Sequence, residues 1–125
     1  MAWNLDSDRP IFLQIVEKIQ SDIVSGYYPP GEKLPSVREL AQMAAVNPNT
    51  VQKAYSELER TGLIFSKRTS GRYITQDKEL IEDMKKNLAK GMIYDFLEKM
   101  AKLGFDADMA IALTKIIQKE DREDE

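Results

Sequence analysis

Leu34-Pro35-Ser36-Val37-Arg38-Glu39-Leu40-Ala41-Gln42-Met43-Ala44-Ala45-Val46-Asn47-Pro48-Asn49-Thr50-Val51-Gln52-Lys53-Ala54-Tyr55-Ser56-Glu57-Leu58-Glu59-Arg60-Thr61-Gly62 holds two helix start signals with an apolar stripe behind each. Ser36 followed three residues later by Glu39 is a capping box, in which hydroxyl and carboxylate each satisfy a backbone N–H that the first turn leaves unpaired. Val37, Leu40, Ala41 and Ala44 then recur at helical spacing. Asn47 before Pro48 opens a second helix, because asparagine caps well and proline at the first helical position forfeits no hydrogen bond. Its stripe is Val51, Ala54, Tyr55 and Leu58. With only Ala45-Val46 between them the helices must cross steeply, Val46 plugging the gap, which is the pattern of a helix-turn-helix.

The face opposite the second stripe carries Asn49, Gln52, Lys53, Ser56 and Arg60, with Glu57 and Glu59 to the sides. Amide, hydroxyl and cationic groups with no carboxylate at the centre suit an approach to base edges and phosphates, although a solvated helix face looks similar. Gly62 fits the position after a helix end. Leu63 to Lys67 reads as a strand, Arg68-Thr69-Ser70-Gly71 as a turn, and Arg72 to Thr75 as the return strand, anchored by Phe65, Tyr73 and Ile74. A helix-turn-helix followed by a hairpin predicts a winged helix. Arg60, Lys67, Arg68 and Arg72 are the only charges from Arg60 to Gln76; such a run suits phosphate or minor-groove contact, and guarding of edge strands is the structural alternative.

Ahead of this stretch, Pro10 starts a helix whose Phe12, Ile15, Val16, Ile19 and Ile23 share a face, ending at Ser25-Gly26. Tyr27-Tyr28-Pro29-Pro30-Gly31 is a stiff connector, and Lys33-Leu34 is placed to add a short strand beside the wing. Gly26 and Gly31 have phosphate-loop spacing, but Glu32 occupies the lysine position and no strand precedes Gly26, so nucleotide binding is not supported. Beyond Gln76, Leu80, Met84, Leu88, Met92, Phe96, Met100 and Leu103, joined by Ile81, Ile93 and Leu97, read as one face of a long helix. Gly91 interrupts it, consistent with a kink or close packing of another backbone. Gly104 is a stop, and Asp106 or Asp108 caps a last helix carrying Met109, Ala112, Leu113, Ile116 and Ile117. These helices cannot enclose a core alone. Their apolar faces must meet the winged domain or a second copy, and the second is the more useful to a DNA reader, so Leu88, Met92, Phe96, Leu113 and Ile117 are expected in an interface between copies.

The fold class expected is mainly α with a small β-hairpin: a winged helix-turn-helix domain over 1–76, then a two-helix dimerisation hairpin with an acidic tail over 77–125. Net charge divides accordingly, +1 for residues 1–75 and −4 for 76–125, the excess ending in Glu120-Asp121-Arg122-Glu123-Asp124-Glu125, read as a frayed tail. Nucleic-acid binding needs a local positive surface, not a positive chain. The 125 residues contain neither cysteine nor histidine, so thiolate and imidazole metal sites and the common nucleophile–base pairs are excluded, and no metal or cofactor is expected. No apolar run reaches the roughly 20 residues of a membrane span. The amino terminus lacks the charged and apolar regions of an export signal, and a cytoplasmic protein with no membrane partner is expected.

Leu34-Pro35-Ser36-Val37-Arg38-Glu39-Leu40-Ala41, Val46-Asn47-Pro48-Asn49-Thr50-Val51-Gln52-Lys53-Ala54-Tyr55 and Leu58-Glu59-Arg60-Thr61-Gly62-Leu63-Ile64 resemble the amino-terminal domain of GntR-family bacterial transcription regulators, over about Pro10 to Thr75. The resemblance implies DNA contact by Arg38, by Asn47, Asn49, Thr50 and Gln52 at the start of the recognition helix, and by the wing tip around Gly71. Where many members have a G-x-G wing tip, this chain has Thr69-Ser70-Gly71. The short helical carboxyl end resembles the YtrA subfamily, which lacks the large effector-binding or aminotransferase-like domains and dimerises through its helices.

Residues and resemblance together predict a homodimeric transcription repressor on a two-fold symmetric double-stranded DNA operator. Its contacts are expected from Arg38, Asn47, Asn49, Thr50, Gln52, Lys53, Arg68, Ser70, Gly71 and Arg72. A winged-helix module for protein contact is the alternative. Catalysis has no nucleophile, base and orienting group to rest on. The sequence names no small-molecule effector.

Overall fold

A computed structural model of the chain describes residues 3–124. Met1, Ala2 and Glu125, at the outer ends of the two expected segments, lie outside the described residues. The order is α1 (Ile11–Val24), α2 (Val37–Ala44), α3 (Pro48–Arg60), β1 (Ile64–Lys67), β2 (Gly71–Ile74), α4 (Lys78–Lys102) and α5 (Ala107–Glu123). Among the described residues no helix is long and apolar enough to cross a membrane. Two compact units divide between Lys85 and Lys86.

In the first unit the local signals have their expected effects. Ser36 Oγ accepts from Glu39 N–H at 3.1 Å and Glu39 Oε1 from Ser36 N–H at 3.0 Å, completing the capping box. Asn47 caps α3, its Oδ1 accepting from Asn49 N–H at 2.8 Å. Between the two, Ala45 closes α2 in a left-handed conformation, φ +58°, and Val46 N–H returns to Ala41 O at 3.0 Å. This reversal sets α2 across α3, with Val46 half-buried against the core. Ile15, Ile19, Leu40, Val51, Tyr55, Leu58, Leu63, Ile64 and Ile74 form the largest fully buried part of that core. Gln14 is an unexpected member of the buried set. Its amide accepts from Asp6 N–H at 2.6 Å and donates to the carbonyls of Asp6 and Arg9, fastening residues 6–9 to α1.

β1 and β2 are antiparallel, with Ile64 opposite Ile74 and Phe65 opposite Tyr73. Alternation of faces along a strand therefore sends Ile64 and Ile74 into the core and turns Phe65 and Tyr73 outward. Phe65 is 39% exposed and stacks on Tyr73, ring centres 6.1 Å apart. Of the three expected apolar anchors, Ile74 therefore enters the core, while Phe65 and Tyr73 pair with each other on the outer face. Lys33 bridges to Tyr73, and Leu34 N–H donates to Arg72 O at 2.8 Å, so the segment after Gly31 runs beside β2, joined by an isolated bridge instead of the short strand expected there.

The first turns of α4 belong to this unit, where Leu80, Ile81 and Met84 pack on the core. The unit therefore reaches Lys85, nine residues past the boundary at 76/77 that the sequence suggests. The apolar row on α4 is not one face. Residues four apart advance about 40° around a helix, so the row from Leu80 to Met100 winds through about 200°.

The second unit comprises the rest of α4 and α5. Gly104, at φ +93°, reverses the chain, and Asp106 rather than Asp108 caps α5, accepting from Met109 N–H at 2.9 Å. The acidic end is helical through Glu123 instead of frayed, because nothing after Asp106 breaks the helix and its Glu, Lys and Arg residues are good helix formers. Met92, Ile93, Phe96, Leu113, Ile116 and Ile117 are exposed and Leu88 is half-buried. A groove of about 400 Å³ between Ile93, Phe96 and Leu97 on α4 and Ile111 and Thr114 on α5 is almost wholly apolar. A Cβ at Gly91 would meet open space.

Candidate nucleic-acid interface

Burial of Val51, Ala54, Tyr55 and Leu58 turns the opposite side of α3 outward, leaving Asn49, Gln52, Lys53, Ser56 and Arg60 exposed. Tyr55 fixes this side relative to α2: its hydroxyl donates to Pro35 O at 2.7 Å. Burial pushes the phenol far above its ordinary value, so it remains a donor at any working pH. Thr50 is half-buried and, with Asn49 and Lys53, meets Ile11 and Phe12 of α1 around a shallow cleft. There Lys53 Nζ stands 4.0 Å from the centre of the Phe12 ring. This cation–π contact limits where the ammonium can go at a modest gain, about 0.5–1 kcal/mol for an exposed pair.

A second concave surface, about 360 Å³, joins parts distant in sequence: Arg38 from α2, Ser70, Gly71 and Arg72 from the wing, and Lys33 from the segment beside β2. Gly71 has φ +113°, and a Cβ there would approach Lys33 Cε to 3.0 Å. The glycine thus serves both the hairpin conformation and the seating of the lysine stem. Lys33 is the cation that sequence reasoning missed as a site residue. Its placement depends on the bridge to Tyr73, a pairing with no local signature beyond the proposed short strand.

Positive residues in this region divide into two groups. Arg60 donates through Nε to Glu57 Oε2 at 3.0 Å and through Nη2 to Glu57 Oε1 at 2.5 Å. That hydrogen bonding lowers the Glu57 carboxyl and raises the Arg60 guanidinium relative to their ordinary values. Arg72 is held by Glu59 at 2.5 Å. By contrast, among the described residues no ion pair holds Lys33, Arg38, Lys53 or Arg68. Lys67 lies on the outward face of the hairpin, its ammonium 4.5 Å from the centre of the Tyr73 ring. Most, but not all, of the expected site residues line one of two patches. Arg38 joins the wing tip in one, while Asn49, Thr50 and Lys53 join α1 in the other; Asn47 caps α3 at the turn after α2, Arg68 stands in the hairpin turn, and the guanidinium of Arg72, at the edge of the first patch, is turned toward Glu59 and Gln52 of α3.

The sequence profile of the family described as "Bacterial regulatory proteins, gntR family" matches residues 12–74. A "HTH-type transcriptional repressor YtrA" from Bacillus subtilis (strain 168) is 42% identical over 83% of this chain and 75% of its own length. Among solved structures, a GntR family transcriptional regulator from Listeria monocytogenes superposes with a TM-score of 0.82 at 45% identity, covering 89% of this chain and 97% of that one. The DNA-binding domain of AraR in complex with operator ORX1 superposes with a TM-score of 0.52 at 30% identity, covering 60% of this chain and 92% of the other.

Proposed function

The chain belongs to the gntR family of bacterial regulatory proteins, and we propose that it acts in the cytoplasm as a homodimeric transcription repressor reading a two-fold symmetric DNA operator. The observation that carries the reading is the division of cations. Lys33, Arg38, Lys53 and Arg68, drawn from four separate elements, are free of carboxylate partners among the described residues, while Arg60 and Arg72 close by are neutralised. Free cations around a helix with an amide and hydroxyl face supply phosphate affinity and base readout together. Arg38 and Lys53 take phosphates or base edges from either side of the helix-turn-helix; Asn49, Thr50 and Gln52 face the major groove; Ser70, Gly71 and Arg68 follow the backbone at the wing.

The second copy is held by the helices after the winged unit. Met92, Phe96, Leu113 and Ile117 are large, apolar and exposed, and with half-buried Leu88 they supply the kind of apolar surface that a partner covers. Residues 1–76 are assigned to DNA and 77–125 to dimerisation, with the first turns of α4 serving the winged core as well. Arg38→Ala and Lys53→Ala should each weaken binding to a selected duplex at matched salt while leaving the circular dichroism spectrum unchanged. Parent-like affinity in both variants contradicts the assignment of this surface.

A further inference from the structure

On charge alone Arg72 reads as one more phosphate contact, yet it is the most firmly held cation of the wing. Its Nε donates to Glu59 Oε1 at 2.5 Å, and the same carboxylate oxygen accepts from Ser66 Oγ at 3.0 Å. The guanidinium carbon lies 5.2 Å from the centre of the Tyr55 ring, so the group is braced on α3 from two sides. From there Nη2 reaches Gln52 Oε1 at 3.4 Å. Arginine can only donate, so the Gln52 amide must turn its oxygen toward Arg72 and its nitrogen away. Gln52 Nε2 gives one hydrogen to Ser56 Oγ at 3.5 Å and keeps the other for the exposed face of α3.

We propose that Arg72 is a positioning residue for base readout: anchored by Glu59, it turns the Gln52 amide oxygen toward itself and leaves the amide N–H as the group the recognition helix presents at that place. The inference rests on the DNA-binding reading above. A glutamine with both ends free matches the N6 donor and N7 acceptor of adenine; one that offers only N–H is suited to the O6 and N7 acceptors of guanine. The base facing Gln52 is then read as guanine in preference to adenine.

Sequence selection from a random duplex pool with the full chain and the variants Gln52→Ala, Arg72→Lys, Arg72→Met and Glu59→Ala tests this. Gln52→Ala identifies the base pair by losing preference there. The proposal expects Arg72→Lys and Arg72→Met alike to shift that pair from guanine toward adenine by about tenfold, because a lysine ammonium lacks the rigid planar fork by which one guanidinium meets Glu59 and orients Gln52 together. Glu59→Ala, which removes the anchor without removing a cation, gives the same shift. The opposite pattern overturns it: Arg72→Lys with parent preferences, Arg72→Met weakened equally on all sequences with a flatter salt dependence, and Glu59→Ala with the preference unmoved. If the Arg72 variants lose their folded spectrum, Glu59→Ala decides between the two patterns. A parent chain that enriches no sequence overturns the DNA reading together with this assignment, whereas an enriching parent with an unmoved preference in Glu59→Ala overturns the role of Arg72 alone.

Discussion

Alanine at Arg68 and alanine at Arg60 each remove one positive charge from the winged unit, yet they should have different consequences. Arg60 already has a carboxylate against it, held through two hydrogen bonds to Glu57; a phosphate would have to displace that partner before gaining anything. Arg68, at the hairpin turn, has no such partner among the described residues. Each phosphate neutralised contributes about −0.9 to the slope of log affinity against log salt. With Lys33, Arg38, Lys53 and Arg68 each engaging one phosphate, the slope is about −3.6 per subunit and about −7 for a dimer. Raising salt from about 50 to about 200 mM then weakens binding roughly ten-thousandfold. Arg68→Ala takes one contact from each subunit and flattens the slope by about two units, while Arg60→Ala leaves it within about half a unit of the parent. Fluorescence anisotropy of a labelled, selected duplex across that salt range reads both slopes. Equal flattening by the two variants would refute the argument that Glu57 withholds Arg60 from DNA.

Tyr55→Phe, measured by urea unfolding, should cost about 1 kcal/mol, since it deletes the buried hydroxyl that donates to Pro35 O. A chain ending at Lys85 should be more stable than one ending at Gln76 by about 3 kcal/mol, the worth of half-burying Leu80, Ile81 and Met84; equal thermal midpoints would remove α4 from the winged core. Hydrogen bonds from Ser36 hold the Glu39 carboxyl below its ordinary range. A lowered carboxyl contributes stability that is fully present above its unfolded value and lost as pH falls through the folded one. Stability of the parent should therefore decline on acidification into and below the glutamate range, and Glu39→Gln should show a shallower decline over that window; identical profiles would leave the capping carboxylate without a measurable role.

Features written in consecutive residues were legible in advance. Ser36 with Glu39 and Asn47 with Pro48 specify their helix starts through bonds spanning two or three positions, and the stripe from Val51 to Leu58 fixed which side of α3 faces out. Features made by residues distant in sequence were not. Whether Ile64 or Phe65 points inward depends on the register with β2, which shifts every side chain of a strand to the other face if it moves by one residue. Glu59 capturing Arg72 needs the hairpin to fold back along α3, so Arg72 read as a free cation and Glu59 as a bystander. Gln14 broke the apolar pattern of α1 without showing that its amide would be satisfied by the backbone of residues 6 and 9. On α4 a spacing of four looks like a face, but the 3.6-residue turn makes it wind.

Selection of bound sequences from a random pool of duplex DNA by the full chain tests the central claim most directly. The account predicts enrichment of an inverted repeat with two equal half-sites, bound by two chains, and loss of the paired arrangement when the chain ends at Lys85. A pool that emerges unenriched, or a single unpaired site bound by one chain, would contradict it.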